Sequence, residues 1–122
     1  KETQIELALS DSVKLGITPP IRDSGNVAGS PGVVLVGPNG TITLDQGTIV
    51  ALRHIHMTPA DAECFGVKDK DIVWVECPGE RAMTMGQVLV RVNEQYALEM
   101  HVDTDEGNAA CLKTGQKVRI IK

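Results

Sequence analysis

Over residues 3–9 apolar and polar positions alternate, with Ile5, Leu7 and Leu9 on one face and Gln4, Glu6 and Ala8 on the other. That period predicts a half-buried strand. Ser10-Asp11-Ser12 is a helix N-cap signal, and Gly16 ends that helix within two turns. Pro19-Pro20 opens a stretch holding Arg22 to Asn26 and Gly29 to Gly32. It is too dense in glycine and proline to be a regular element. Two β-branched runs, 33–36 and 41–44, flank Gly37-Pro38-Asn39-Gly40, which predicts a hairpin with Asn-Gly in its turn.

The run 48–57 predicts one further strand. Thr58-Pro59-Ala60-Asp61 starts a short helix that stops at Gly66, with proline at its first position. Strands are expected over 71–76, 87–92, 97–102 and 117–121, and a last short helix within 103–112. A weak repeat links Asp11, Gly16 and Ile17 with Asp61, Gly66 and Val67, and the helix–glycine–strand unit returns near Gly115 to Val118. Repeated strand and short-helix units predict a mainly β chain: two small β-barrels capped by short helices, the first incomplete. The boundary falls near residues 45–50, with 1–48 part of one barrel domain and 49–122 most of the second.

Composition sharpens this picture. The 122 residues include 14 valines and 9 isoleucines but one each of Phe, Trp and Tyr, so the core is expected to be aliphatic and strand-forming. The formal charge of −4 is spread along the chain without a basic cluster, which argues against nucleic acid as a partner. No apolar run reaches the roughly 20 residues of a membrane span. The three cysteines form no CxxC pair and read as small hydrophobes in a reduced, cytoplasmic setting. The chain opens with a strand already under way, as a piece of a longer protein would.

The chemistry concentrates in Arg53-His54-Ile55-His56-Met57. In a strand, residues i and i+2 share a face, so His54 and His56 project together while Ile55 turns to the core. Two imidazoles about 7 Å apart at Cβ can reach one ion through bonds of about 2 Å. An isolated HxH is as readily the polar face of a strand. The third histidine, His101, lies in another strand-like run followed by Asp103, Asp105 and Glu106, which could orient ligand imidazoles. Three histidines with an open fourth position make a catalytic zinc arrangement, with ring nitrogens expected within about 4 Å of one another. Arg22 and Arg53 are candidate substrate-binding charges or ordinary surface arginines. The loop from Gly29 to Gly32 is either an anion-binding backbone or a plain turn. By spacing alone, Glu6 is a surface carboxylate.

The segments ALRHIHMTPADAECFGVKDKDIVWV and YALEMHVDTDEGNAA, with the preceding TQIELALSDSVKLGITPPIRDSGNVAGSPGVVLVGPNG, resemble the propanediol-utilisation type phosphotransacylases, the phosphate propanoyltransferases. The resemblance covers essentially the whole chain. It implies a two-barrel, zinc-dependent enzyme that converts acyl-CoA and phosphate reversibly into acyl phosphate and CoA. It also implies two metal ions, usually zinc. His54, His56 and His101 match the ligands of one, and Glu6, within TQIE, matches a ligand of the other. The family's earlier HxH and its phosphate-binding arginine are not among these residues. The chain thus resembles the C-terminal three-fifths of such an enzyme, and alone it is expected to have little activity. CoA or acyl-CoA, phosphate, the N-terminal segment of the same protein and a homo-oligomer are the implied partners. The implied location is the cytoplasm or a bacterial microcompartment.

Two other classes compete. A metal-hydroxide lyase or hydrolase also uses three strand histidines. A non-catalytic cupin-type barrel wants a glutamate soon after HxH, whereas the next one here is Glu63. Direct attack by phosphate, without a covalent acyl-enzyme, is the expected route.

Overall fold

The computed structural model describes residues 2–122. The chain forms two compact units, the first ending at Leu52 and the second spanning Arg53–Lys122. It is mainly β with short helices, as the strand-rich pattern predicts.

In the first unit, β5 (Thr48–Ala51) lies between β1 (Ile5–Glu6) and β2 (Ile21–Arg22), parallel to both. Thr48 and Ile49 are completely buried, so this central strand anchors the unit. The expected strand over 3–9 is cut short because Leu9 opens helix α1 (Leu9–Leu15). The backbone N–H groups of Asp11 and Ser12 both donate to the Ala8 carbonyl at 3.1 Å, making Ala8 the N-cap. The Ser10-Asp11-Ser12 signal therefore lies inside the helix. Instead of capping, Ser12 Oγ donates back to the Leu9 carbonyl at 2.7 Å. Hairpin strands β3 (Val33–Gly37) and β4 (Gly40–Leu44) pair antiparallel, with Pro38-Asn39 as the two turn residues.

The second unit contains a five-stranded half-barrel sheet in the order β10-β7-β8-β6-β9. Its strands are β6 (His54–Met57), β7 (Ile72–Cys77), β8 (Met83–Val92), β9 (Glu99–His101) and β10 (Arg119–Ile121). The β6–β8 pair is parallel and the others are antiparallel. Met57, Val75, Val88 and Val90 are fully buried, each contributing about 1.5–3 kcal/mol of transfer free energy. The core is aliphatic, and Trp74 stays 54% exposed. Trp74 lies over Gly86 on the adjacent strand, where a Cβ would meet the ring at 2.7 Å.

The expected strand over 48–57 divides into β5 and β6. Leu52 N–H donates to the Arg22 carbonyl at 2.9 Å, whereas the Arg53 carbonyl accepts from Leu89 N–H at 3.0 Å. The backbone thus changes partners between two adjacent residues.

Helix α2 (Pro59–Phe65) follows the local code closely. Thr58 and Asp61 form a reciprocal capping box, Pro59 occupies the first turn, and Gly66 closes the end at φ 65°. The repeat seen in the sequence is one of helix C-caps. Ile17 N–H bonds the Ser12 carbonyl after Gly16, and Val67 N–H bonds the Ala62 carbonyl after Gly66, the Schellman pattern. Helix α3 (Thr104–Ala109) ends similarly, with Leu112 N–H on the Gly107 carbonyl at 2.8 Å. Here Cys111, at φ 53°, holds the left-handed position instead of a glycine. Cys77 is buried and Cys64 and Cys111 are exposed, and none forms a disulfide. Among the described residues no helix is long and apolar enough to cross a membrane.

Candidate metal centre

Antiparallel pairing of β6 with β9 puts His54 directly opposite His101, and Ile55 opposite Met100. Cross-strand partners share a face, and His56 joins them from two residues along β6. The core side of β6 is held by Ile55 and Met57, 3% and 0% exposed. The three ring centroids form a compact triangle: 4.7 Å for His54–His56, 5.0 Å for His54–His101 and 4.6 Å for His56–His101. One nitrogen from each ring falls within 4.8 Å of the other two.

This is somewhat wider than the 4 Å expected from the sequence. Tetrahedral zinc with bonds of about 2.0–2.1 Å sets ligand nitrogens about 3.4 Å apart, so closure onto one ion needs shifts of roughly 1.4 Å at most. His101, whose side chain is 43% exposed, has room to supply them.

The three rings differ in environment. His54 is buried, and His56 is half-buried against the Tyr96 ring, with centroids 4.1 Å apart. His56 Nε2 is buried and has no hydrogen-bond partner. An unsatisfied buried polar atom costs about 1–3 kcal/mol, a cost that coordination to a cation would remove. Burial also lowers the His56 pKa below its usual value, helped by repulsion from His54, His101 and Arg91, while Glu99 acts the other way. The neutral imidazole that a metal requires is thereby favoured.

An acid that reaches the triad is Glu99, whose Oε1 lies 3.2 Å from His101 Nε2. It comes from the same strand, two residues before His101, and can orient that imidazole as an outer carboxylate. Of the acids expected in that role, Asp103 and Glu106 are engaged elsewhere. They form the capping box of α3, Asp103 Oδ1 accepting from Glu106 N–H and Glu106 Oε2 accepting from Asp103 N–H, at 2.9 and 3.0 Å.

Arg53 donates from Nε to the Gly86 carbonyl at 2.8 Å and from Nη1 to Glu106 Oε1 at 3.1 Å. It thereby ties the helix that follows His101 to the strands bearing His54. Burial raises the Glu106 pKa despite the adjacent Arg53 and the hydrogen bonds it accepts, so this carboxylate depends on its partners. Arg53→Ala is expected to destabilise the second unit by about 1–3 kcal/mol, measurable by urea unfolding; an unchanged midpoint would show the tie to be slack. In the first unit, Arg22 Nη1 donates to Asn26 Oδ1 at 3.3 Å and the Ala28 carbonyl at 3.1 Å, shaping its own loop. Glu6, also there, accepts hydrogen bonds from Gln4 and Ser24.

Arg91 is the charged residue that reading along the sequence passed over. Parallel register places it beside His56, and its Cζ lies 6.0 Å from the Tyr96 ring centroid. The signal was present in the alternation of Arg91 with Val90 and Val92, but reading it required knowing which strand pairs with β6.

The family model described as phosphate propanoyltransferase matches residues 1–113. Phosphate propanoyltransferases are 54% identical in Thermotoga maritima over all of the chain, and 51% in Lachnoclostridium phytofermentans over 99% of it. One from Rhodopseudomonas palustris is 50% identical over the whole chain. The chain spans 59%, 57% and 54% of the lengths of these three relatives. It belongs to the phosphate propanoyltransferase family.

Proposed function

We propose that this chain is the C-terminal, zinc-binding part of a phosphate acyltransferase that converts a short-chain acyl-CoA and phosphate into acyl phosphate and CoA. The observation that carries this reading is the convergence of three imidazoles, one with an unpartnered buried Nε2, in a chain from this family. The donor set fits zinc: three neutral nitrogens on rigid strands, with a carboxylate at His101. A zinc ion held there would supply Lewis-acid polarisation and neutralise substrate charge.

In the transfer an oxygen of phosphate bonds to the acyl carbon, the carbon–sulfur bond breaks, and CoA leaves as its thiolate. Arg91, on the strand beside His56, offers a fixed cation to hold phosphate against the acyl carbon. His54, His56 and Glu99-supported His101 hold their donor atoms on adjacent strands, so little reorganisation is needed. Glu6 is proposed to ligate a second metal ion.

The deciding experiment measures acyl-CoA/phosphate exchange by the full-length protein, with and without a zinc chelator. Exchange should require zinc, and Arg91→Ala should raise KM for phosphate about tenfold or more without changing zinc content. Exchange insensitive to chelation would overturn the zinc reading. Hydrolysis of acyl-CoA with no dependence on phosphate would favour a metal-hydroxide hydrolase.

A further inference from the structure

Glu6 is an exposed carboxylate on β1. Such a group ordinarily samples several rotamers, since water satisfies it in each. Here it is held. Gln4 Nε2 and Ser24 Oγ each donate to Glu6 Oε1 at 2.8 Å, and Gln4 Nε2 also donates to Ser24 Oγ at 2.7 Å.

The orientation of the Gln4 amide follows from proton accounting. Gly25 N–H, which can only donate, meets Gln4 Oε1 at 2.8 Å, so the amide NH2 must face Glu6 and Ser24. One amide proton goes to Glu6 and the other to Ser24. The Ser24 hydroxyl proton then goes to Glu6. Both bonds end on the same carboxylate oxygen and select one rotamer.

The donors come from separate places in the chain. Gln4 precedes β1, and Ser24 and Gly25 follow β2, in the loop that Arg22 shapes through Asn26 and Ala28. β1 and β2 meet through their common neighbour β5. Fixing an exposed carboxylate with a long-range network costs side-chain entropy. Such an arrangement serves a group whose direction matters.

We propose that Gln4 and Ser24 are positioning residues for Glu6. By engaging Oε1 they set Oε2, the oxygen on which neither of them acts, in place to bind a divalent cation. This rests on the reading of Glu6 as a metal ligand. Carboxylate ligands held in this way typically lose 10–100-fold in metal affinity when the supporting bond is removed.

The test uses the full-length protein, measuring zinc content, zinc affinity by competition with a chromophoric chelator, and melting temperature without metal. Glu6→Gln should lose about one equivalent of zinc. Ser24→Ala and Gln4→Met should still fill at saturating zinc but bind about 10–100-fold more weakly, with the metal-free melting temperature unchanged. Ser24→Thr, which keeps the hydroxyl, should recover most of the affinity. Two failures are distinguishable. Full zinc binding by Glu6→Gln would remove the ligand reading and the proposal with it. Loss of zinc in Glu6→Gln with wild-type affinity in Ser24→Ala and Gln4→Met would overturn the positioning role alone. Weakened binding that Ser24→Thr fails to restore would also overturn it.

Discussion

His56→Ala is expected to abolish zinc binding at the histidine triad and to lower acyl transfer by at least 100-fold. His56 sits on β6 between a buried histidine and Tyr96, and its buried Nε2 has no other partner. Two imidazoles on a sheet face make a weak chelate, because the third ligand supplies the pre-organisation that offsets desolvation of the ion. His101→Ala should act similarly, since His101 stands directly across from His54. Glu99→Gln should instead weaken zinc binding about 10–100-fold and leave the site fillable, as loss of an outer carboxylate does. Elemental analysis after dialysis at defined free zinc would separate these cases. If His56→Ala kept stoichiometric zinc at the triad, the three-histidine site would be disproved.

Acid should empty the same site, and the direction follows from His56. Its pKa is depressed in the folded chain, chiefly by burial and then by the charges of His54, His101 and Arg91. Below the ordinary histidine value of about 6.5, the unfolded chain takes up a proton that the folded chain refuses. Folding is then penalised increasingly as pH falls, while above that value the group contributes no pH dependence. Zinc steepens the loss, because bound ligands must be unprotonated and each proton competes with the ion. Melting temperature should therefore be flat from pH 8 to about 7 and fall progressively towards pH 5, with zinc released over the same interval. With chelator the curve should start lower and fall less steeply. His56→Gln should flatten it further. A melting temperature and zinc content constant between pH 7 and pH 5 would exclude these histidines as ligands.

The features legible along the chain are those enforced over a few residues. Thr58, Pro59, Asp61 and Gly66 specify α2 by capping and backbone freedom, and the helix forms where they say. Alternation in Arg53 to Met57 correctly puts His54 and His56 on one face and Ile55 in the core, because the side-chain period of a strand is fixed by its backbone. Scarcity of aromatics correctly foretold an aliphatic core. Ser10 to Ser12 shows how a local signal fails. The capping residue types are present, but Ala8 takes the cap, and Ser12 bonds back to Leu9.

What pairing between distant strands determines could not be read that way. Only register makes His101 the partner of His54 and lays Arg91 beside His56, whereas Glu99 reaches His101 from two positions earlier on the same strand. The division at Leu52 and Arg53 arises because the backbone bonds Arg22 on one side and Leu89 on the other, partners 30 or more residues away. The same long-range geometry ties Arg53 to Gly86 and Glu106, and unites Gln4, Ser24 and Gly25 around Glu6. Residue type determined which side chains were capable of this chemistry; the pairing of strands, with loop-closure entropy offset by buried apolar area, decided which of them meet.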